Sequence, residues 1–225
     1  MPSPRSALRR ATRPEAKSER RAAILHAAEA LLHRTPLGSF SVAELARRAG
    51  LAKGTLYLYF RTREEVLLAV HAERQQRMFD ALEAALAAKR VEVRQIARAT
   101  MRYLREHPEF LPLAASCRGM LETNIGSEAA LAFKLAVGAR LAQLGPRIET
   151  LFPALGRGQG VTLLMASYAL MIGLWQLAEP PECLKASMRR PEMLVHRIDF
   201  EKVLTAALVD LWDGATVGTQ RARHA

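Results

Sequence analysis

The chain has 225 residues, of which 50% are hydrophobic and 24% charged, with a formal net charge of +11. That is the composition of an ordinary soluble globular chain with room for one large or two modest domains. Its two cysteines, Cys117 and Cys183, exclude a disulfide framework and a cysteine zinc site, and a reducing, cytoplasmic compartment is the default. The N-terminus is basic and polar without an apolar h-region, which reads against a secretory signal.

The charge is unevenly spread. Up to Arg77 there are 15 Lys/Arg against 7 Asp/Glu, and from Met78 onward 18 against 15. A basic N-terminal third is suited to recruiting a polyphosphate backbone; a general solubility bias would have no reason to concentrate there.

Residues 1–16 carry Pro2, Pro4 and Pro14 with Arg5, Arg9, Arg10 and Arg13. Too poor in apolar residues to fold alone, they read as a flexible basic arm. Such an arm either follows phosphates and a minor groove or is a solvated tail. Lys17 to His33 reads as a helix with Ile24, Ala27, Ala28, Leu31 and Leu32 on one face. Arg20 and Arg21 near its start are placed to meet phosphate. Thr35-Pro36-Leu37-Gly38 ends it.

The stretch 40–68 organises the rest. Ser41 and Glu44 form a capping box, and Phe40 and Leu45 sit at the spacing of a hydrophobic staple. Gly50 is placed to end that short helix in the left-handed conformation. A second short helix is expected from Lys53 to Tyr59, with Leu51, Leu56 and Phe60 turned inward and Lys53, Thr55, Tyr57 and Tyr59 outward. Thr62-Arg63-Glu64-Glu65 repeats the capping box and launches a longer helix with Val66, Leu67, Val70, Met78 and Leu82 on its apolar face. Two short helices joined by a tight Ala-Gly-Leu turn are a helix-turn-helix, whose second helix enters the major groove of DNA. The same pattern also occurs in proteins that never touch DNA. Gly54 and Thr55, small enough for close approach, stand beside one lysine and two tyrosines.

The run Leu45-Ala46, Ala49-Gly50-Leu51, Lys53-Gly54-Thr55-Leu56-Tyr57 and Tyr59-Phe60, followed by Arg63 and Leu67, resembles the DNA-binding domain of the TetR family of bacterial transcription regulators. The resemblance spans roughly residues 17–70. It implies that Lys53, Thr55 and Tyr57 meet bases and backbone and that Tyr59 and Arg63 meet phosphates. Ser41, Lys53, Gly54, Thr55, Tyr57, Tyr59 and Arg63 are therefore the candidate DNA-binding residues. Ala52 stands where the family usually has Ser, a better N-cap; Tyr59 replaces a common His and Arg63 a common Lys.

Beyond Met78 the chain still reads as helices. Val91–Arg105 stops before Pro108, a shorter piece follows from Glu109 to Leu121, and another runs from Ser127 to Leu144, where Gly145-Pro146 is expected to break or kink it. Gly158–Ala178 is 21 residues without a charge, long enough to span a bilayer. Gln159, Thr162, Ser167, Tyr168 and Gln176 are spread through it, so it reads instead as a helix buried on two sides, by its own domain and by a partner chain. A variable segment leads to a last helix, Asp199–Trp212, capped by Asp199 with Phe200, Val203, Leu204, Ala207, Leu208 and Leu211 on one face. In the family that the chain resembles, the last two helices of each subunit make a four-helix dimer interface.

Catalytic and metal constellations are not found: the six histidines lack ligand spacing, and Gly156, Gly158 and Gly160 lack the strand and lysine of a phosphate loop. No cofactor, metal or enzymatic activity is expected. Phe110, Cys117, Met120, Phe133, Met165, Tyr168, Met171 and Trp175 are soft apolar residues with a few polar handles. They describe either the lining of a small-molecule site or plain helical core. The resemblance implies an effector pocket in this domain without saying which residues form it.

The sequence thus predicts an all-α chain: a flexible arm (1–16), a three-helix helix-turn-helix DNA-binding domain (17–77), a larger helical effector-binding and dimerisation domain (78–214), and a flexible tail (215–225). The expected function is a homodimeric regulator of a palindromic double-stranded DNA operator, released by a small apolar or amphipathic effector, with no membrane partner. Repressor rather than activator follows from the resemblance alone. The rival readings are a non-specific architectural DNA binder and a helical carrier or enzyme with an incidental helix-turn-helix.

Overall fold

A computed structural model describes residues 13–33 and 40–217, which fold into nine α-helices with no strand among them. Two compact units divide between Val70 and His71.

In the first unit, α1 (Arg13–Leu32) begins four residues before the expected start. Pro14 is no obstacle, because a first-turn residue has no intrahelical acceptor for its N–H and the proline φ already suits a helix. The arm shortens accordingly; its residues 1–12, like the stop signal at 35–38, lie outside the described residues. Ile24, Leu25, Ala27, Ala28 and Leu31 of α1 are buried with Phe40, Leu45, Leu56 and Phe60. α2 (Val42–Arg48) is capped by Ser41, whose hydroxyl accepts the Glu44 N–H at 3.1 Å. It ends in a Schellman turn: Leu51 N–H reaches Ala46 O at 2.9 Å and Gly50 N–H reaches Arg47 O at 3.2 Å. Gly50 sits at φ +67°, a region costly for any residue with a Cβ. α3 (Lys53–Tyr57) is two residues shorter than expected.

α4 (Arg63–Ala85) starts with a variant of the expected box. Thr62 Oγ1 accepts the Glu65 N–H at 3.1 Å, but the Glu65 carboxylate reaches back to the Arg61 N–H at 2.7 Å, one residue beyond the cap.

The second unit holds the remainder of α4 with α5 (Val93–Glu106), α6 (Phe110–Thr123), α7 (Ser127–Leu151), α8 (Gln159–Ala178) and α9 (Phe200–Val217). Three short 3₁₀ turns fill 182–196. α7 continues without interruption past Gly145-Pro146, where a break or a kink was expected, so the helix is not broken there. The reason lies on α8. A Cβ on Gly145 would come within 2.5 Å of Val161 Cγ2, and one on Gly160 within 2.2 Å of Gly145 O. The two backbones therefore cross in contact, and packing against α8 holds a helix that proline alone would interrupt. Near the start of this unit, Arg74 Nε and Glu109 Oε1 pair at 2.5 Å with both side chains almost wholly buried, while Tyr103 donates its hydroxyl hydrogen to the Arg74 carbonyl.

α9 is capped by Asp199, whose Oδ1 accepts the Lys202 N–H at 3.1 Å. Its buried residues are Leu204, Leu208 and Trp212, whereas Val203, expected on the core face, is exposed. The helix continues to Val217, so residues 215–217 belong to it rather than to a tail, and 218–225 lie outside the described residues. α8 packs between α7 and α9. Only 22% of its apolar stretch is buried within the single chain, which leaves Met165 and Leu177 exposed. The expected burial on two sides is met by its own domain on one side alone.

Candidate nucleic-acid interface and ligand cavity

In the first unit, α3 inherits its position from two features of the sequence. The Schellman turn reverses the chain after α2, and Leu56, fully buried, anchors the helix from inside. No side chain caps α3, since Ala52 has none to offer; its carbonyl accepts the Thr55 and Leu56 N–H groups. With Leu56 inward, Lys53, Gly54 and Tyr57 are exposed and Thr55 is half-buried. Tyr59 follows the helix and is half-buried. Arg63 lies at the first position of α4 with its guanidinium on Glu64 Oε1 at 2.8 Å, an exchangeable surface pair. Ser41 spends its hydroxyl as the α2 cap. The surface so formed carries a lysine, two phenols and a guanidinium, a donor set suited to phosphate oxygens and base edges. Leu58, 78% exposed beside Tyr57, is a member that the sequence reading did not single out. A leucine at a helix end reads as core by type, and only its position one residue past Tyr57 marks it as outward.

In the second unit a cavity of about 630 Å³ opens among α4 to α9, within the range of small-molecule sites. Cys117, Phe133, Met165, Tyr168 and Met171 line it. Phe110 does not: it is fully buried one layer behind, its ring 5.6 Å from both His71 and Tyr103. Trp175 also stays off the wall, packed against the cluster around Leu204 and Met171. The side chain of Met120 lies outside the described residues. Sequence reasoning missed Gln75, Thr100, Val137, Lys134, Leu141, Leu208 and Trp212, which complete the lining with others.

Most of the wall is apolar, so its few polar groups stand out. Ser167 and Trp212 satisfy each other: Trp212 Nε1–H donates to Ser167 Oγ at 3.0 Å, and that hydroxyl donates to Leu163 O at 2.8 Å. Tyr168 Oη and His71 Nε2 lie 3.2 Å apart. Burial holds His71 far below its ordinary value, at about 4, with the nearby Lys134 charge adding to the shift, so the imidazole is neutral at pH 7. Burial likewise pushes the Tyr168 phenol and the Cys117 thiol up, leaving both protonated. A protonated buried thiol is a weak nucleophile. Among the described residues no cluster of three or more His, Cys, Asp or Glu side chains is placed to hold a metal ion.

Comparison with known proteins follows the same division. Residues 24–70 match the family described as bacterial regulatory proteins, tetR family, and residues 72–219 match the tetracyclin repressor-like, C-terminal domain. The HTH-type transcriptional regulator EthR of Mycobacterium tuberculosis is 47% identical over 60 residues, which is 27% of this chain and 27% of that protein. Its counterpart in Mycolicibacterium smegmatis is 42% identical over 62 residues, 28% of each chain. These curated relatives are thus matched over little more than a quarter of their length. Among solved structures, a protein of unknown function from Rhodococcus sp. RHA1 superposes with a TM-score of 0.56 at 22% identity, covering 88% of this chain and 95% of that one. The TetR family transcriptional regulator PfmR from Thermus thermophilus gives 0.52 at 19% identity, covering 84% and 96%. At these identities the superpositions speak to fold alone; the family matches cover most of the sequence. The chain belongs to the TetR family of bacterial transcription regulators.

Proposed function

We propose that the chain is a cytoplasmic, ligand-responsive repressor that binds a palindromic operator as a homodimer. The observation that carries this reading is the pairing, in one chain, of an outward lysine-and-tyrosine surface on α3 with a largely apolar cavity in the second unit. Lys53, Thr55 and Tyr57 would meet base edges and backbone, Gly54 would allow close approach, and Tyr59 and Arg63 would meet phosphates. Ser41 would act through the cap of α2. The exposed apolar residues of α8 supply the surface for a second copy, and a two-fold axis would present two α3 helices to successive half-sites. A small apolar or amphipathic effector in the cavity releases DNA only if it binds one arrangement of the dimer better than the other.

The test is binding to DNA from immediately upstream of the protein's own gene, at near-physiological salt and with unrelated competitor present. Wild type is compared with Tyr57→Ala. Protection of one palindromic site, lost in the variant, supports the reading. Equal, salt-labile binding to every DNA supports an architectural binder instead. No binding to any DNA overturns both and leaves the cavity as the functional centre of a carrier.

A further inference from the structure

The cavity has a direction. On α4, Gln75 is followed seven residues later by Leu82, and on α7 Lys134 is followed seven residues later by Leu141; all four line the wall. Arg140 bridges to Asp80 at 2.8 Å and Arg147 to Glu83 at 3.3 Å, so the two helices advance in the same sense. Seven residues of helix are about 10 Å. One end of the cavity therefore carries Gln75 and Lys134, with Tyr168 tied to His71 one turn before Gln75, and the other carries Leu82 and Leu141, where the Trp212 ring packs in the cluster of Leu86 and Leu144.

The polar end is incomplete by itself. Gln75 is 6% exposed, and its Oε1 is buried without a hydrogen-bond partner. Its amide oxygen and nitrogen are interchangeable by rotation, so it offers a ligand either an acceptor or a donor. His71 Nδ1 is also buried and unpartnered. A buried N–H left unsatisfied is rarer than an unsatisfied acceptor, so the neutral ring carries its hydrogen on Nε2 and donates it to Tyr168 Oη. The Tyr168 O–H hydrogen is then released to point elsewhere, and Tyr168 lines the cavity. Among the described residues, Lys134 is the one charged side chain of the lining. Its ammonium lies 5.7 Å from the centroid of the Phe133 ring, which also lines the cavity. No carboxylate among the described residues pairs with it.

We propose that the cavity takes an elongated apolar molecule ending in a carboxylate, with the carboxylate at Lys134, Tyr168 and Gln75 and the chain toward Leu82, Leu141 and Trp212. This deepens, and rests on, the reading of the cavity as a ligand site. Lys134 supplies the charge, the Tyr168 O–H and the Gln75 N–H₂ supply directed hydrogen bonds, and the neutral His71 holds the phenol in the donating orientation. An amine head would meet the lysine as a like charge. An alcohol would gain the hydrogen bonds without the charge.

The experiment titrates decanoate, 1-decanol and decylamine into the full-length protein at pH 7.5, reading Trp fluorescence and calorimetric heat. Decanoate is expected to bind about tenfold tighter than 1-decanol, with decylamine weakest. Lys134→Met is expected to erase the preference for the acid while leaving 1-decanol affinity within about twofold, and Lys134→Arg to restore it. Tyr168→Phe should weaken both oxygenated probes. Lys134 is exposed, so its variants do not disturb the core. Equal binding of acid and alcohol, or a preference unchanged in Lys134→Met, overturns the carboxylate assignment and leaves the ligand site standing. If none of the three probes binds, the assignment falls and the ligand-site reading loses its support with it.

Discussion

Replacing Gly160 by alanine isolates the crossing of α7 and α8. Inside a helix the change should stabilise by about 1 kcal/mol, because alanine loses less backbone entropy. Here the new Cβ would lie 2.2 Å from Gly145 O and 2.9 Å from its carbonyl carbon, short of the 3.4 Å at which ordinary contact begins by about 1.2 Å. The obstacle is backbone, which has no rotamer to move to, so the helices must separate over the length of their contact. Overpacking of this kind costs about 1–3 kcal/mol, and a backbone obstacle belongs at the upper end, leaving a net loss of about 2 kcal/mol. For a chain of this size that is a fall in Tm of about 4–8 °C, measurable by circular dichroism. Gly138 on α7 is the control: it is exposed, and a Cβ there meets nothing within 4 Å. Gly138→Ala should therefore gain about 0.5–1 kcal/mol from propensity alone. If Gly160→Ala proves as stable as wild type, the close crossing does not exist in solution and the account of an unbroken α7 fails with it.

Other expectations follow from single side chains. Tyr57→Ala should weaken binding to the upstream site about tenfold or more, yet shift stability by less than about 0.5 kcal/mol because the ring is 45% exposed; a large loss of stability would assign Tyr57 to the core. Lys53→Ala should lower the slope of log affinity against log salt by about one, and an unchanged slope would mean that it meets no phosphate. Ser41→Ala removes the α2 cap and should cost about 1 kcal/mol in urea unfolding. His71 takes up a proton near pH 6.5 when unfolded but only near pH 4 when folded, so the unfolded chain binds more protons between those values. Its contribution is fully present above pH 6.5 and is lost as pH falls toward 4, by about 3 kcal/mol at most. His71→Asn should lack that segment of the stability profile, and identical profiles for variant and wild type would show that His71 is not buried neutral.

Local rules carried the sequence reading as far as local chemistry reaches. The Ser41 cap and the Gly50 turn are each settled within a few residues and stand as the sequence predicts, with Phe40 and Leu45 both buried, although only the Ser41 half of the expected Ser41–Glu44 box forms. Pro146 shows the limit. Its effect on α7 is local, but what overrides it is Gly160, distant in sequence, and no pattern around Pro146 announces that partner. The cavity shows a second limit. Cys117, Phe133, Met165, Tyr168 and Met171 reach its wall while Phe110 and Trp175 do not, though all are the same kinds of residue on the same kinds of helix. Periodicity assigns a side chain to the inward face of its own helix; whether that face meets another helix or a void depends on the spacing of helices, which the pattern does not encode. Gln75 and Lys134 were missed for the opposite reason, since polar residues on a helix read as solvated by type.

α8 joins these limits. A helix apolar on every side has no periodicity from which to assign an inner face, yet its neighbours in the fold divide it. Gly160, Leu163, Leu164, Ser167 and Met171 are buried, fixed by the Gly145 crossing at one end and the Trp212–Ser167 hydrogen bond further along. Tyr168 and Ile172 then fall beside the cavity, while Leu177 is left in water. Met165 belongs to both sets, lining the cavity and standing 58% exposed. A second copy seated on α8 would cover Met165 from outside while an effector touched it from within. The residue best placed to feel both events is then an unbranched thioether, able to change rotamer at little cost, and effector binding and dimer geometry would meet at one side chain.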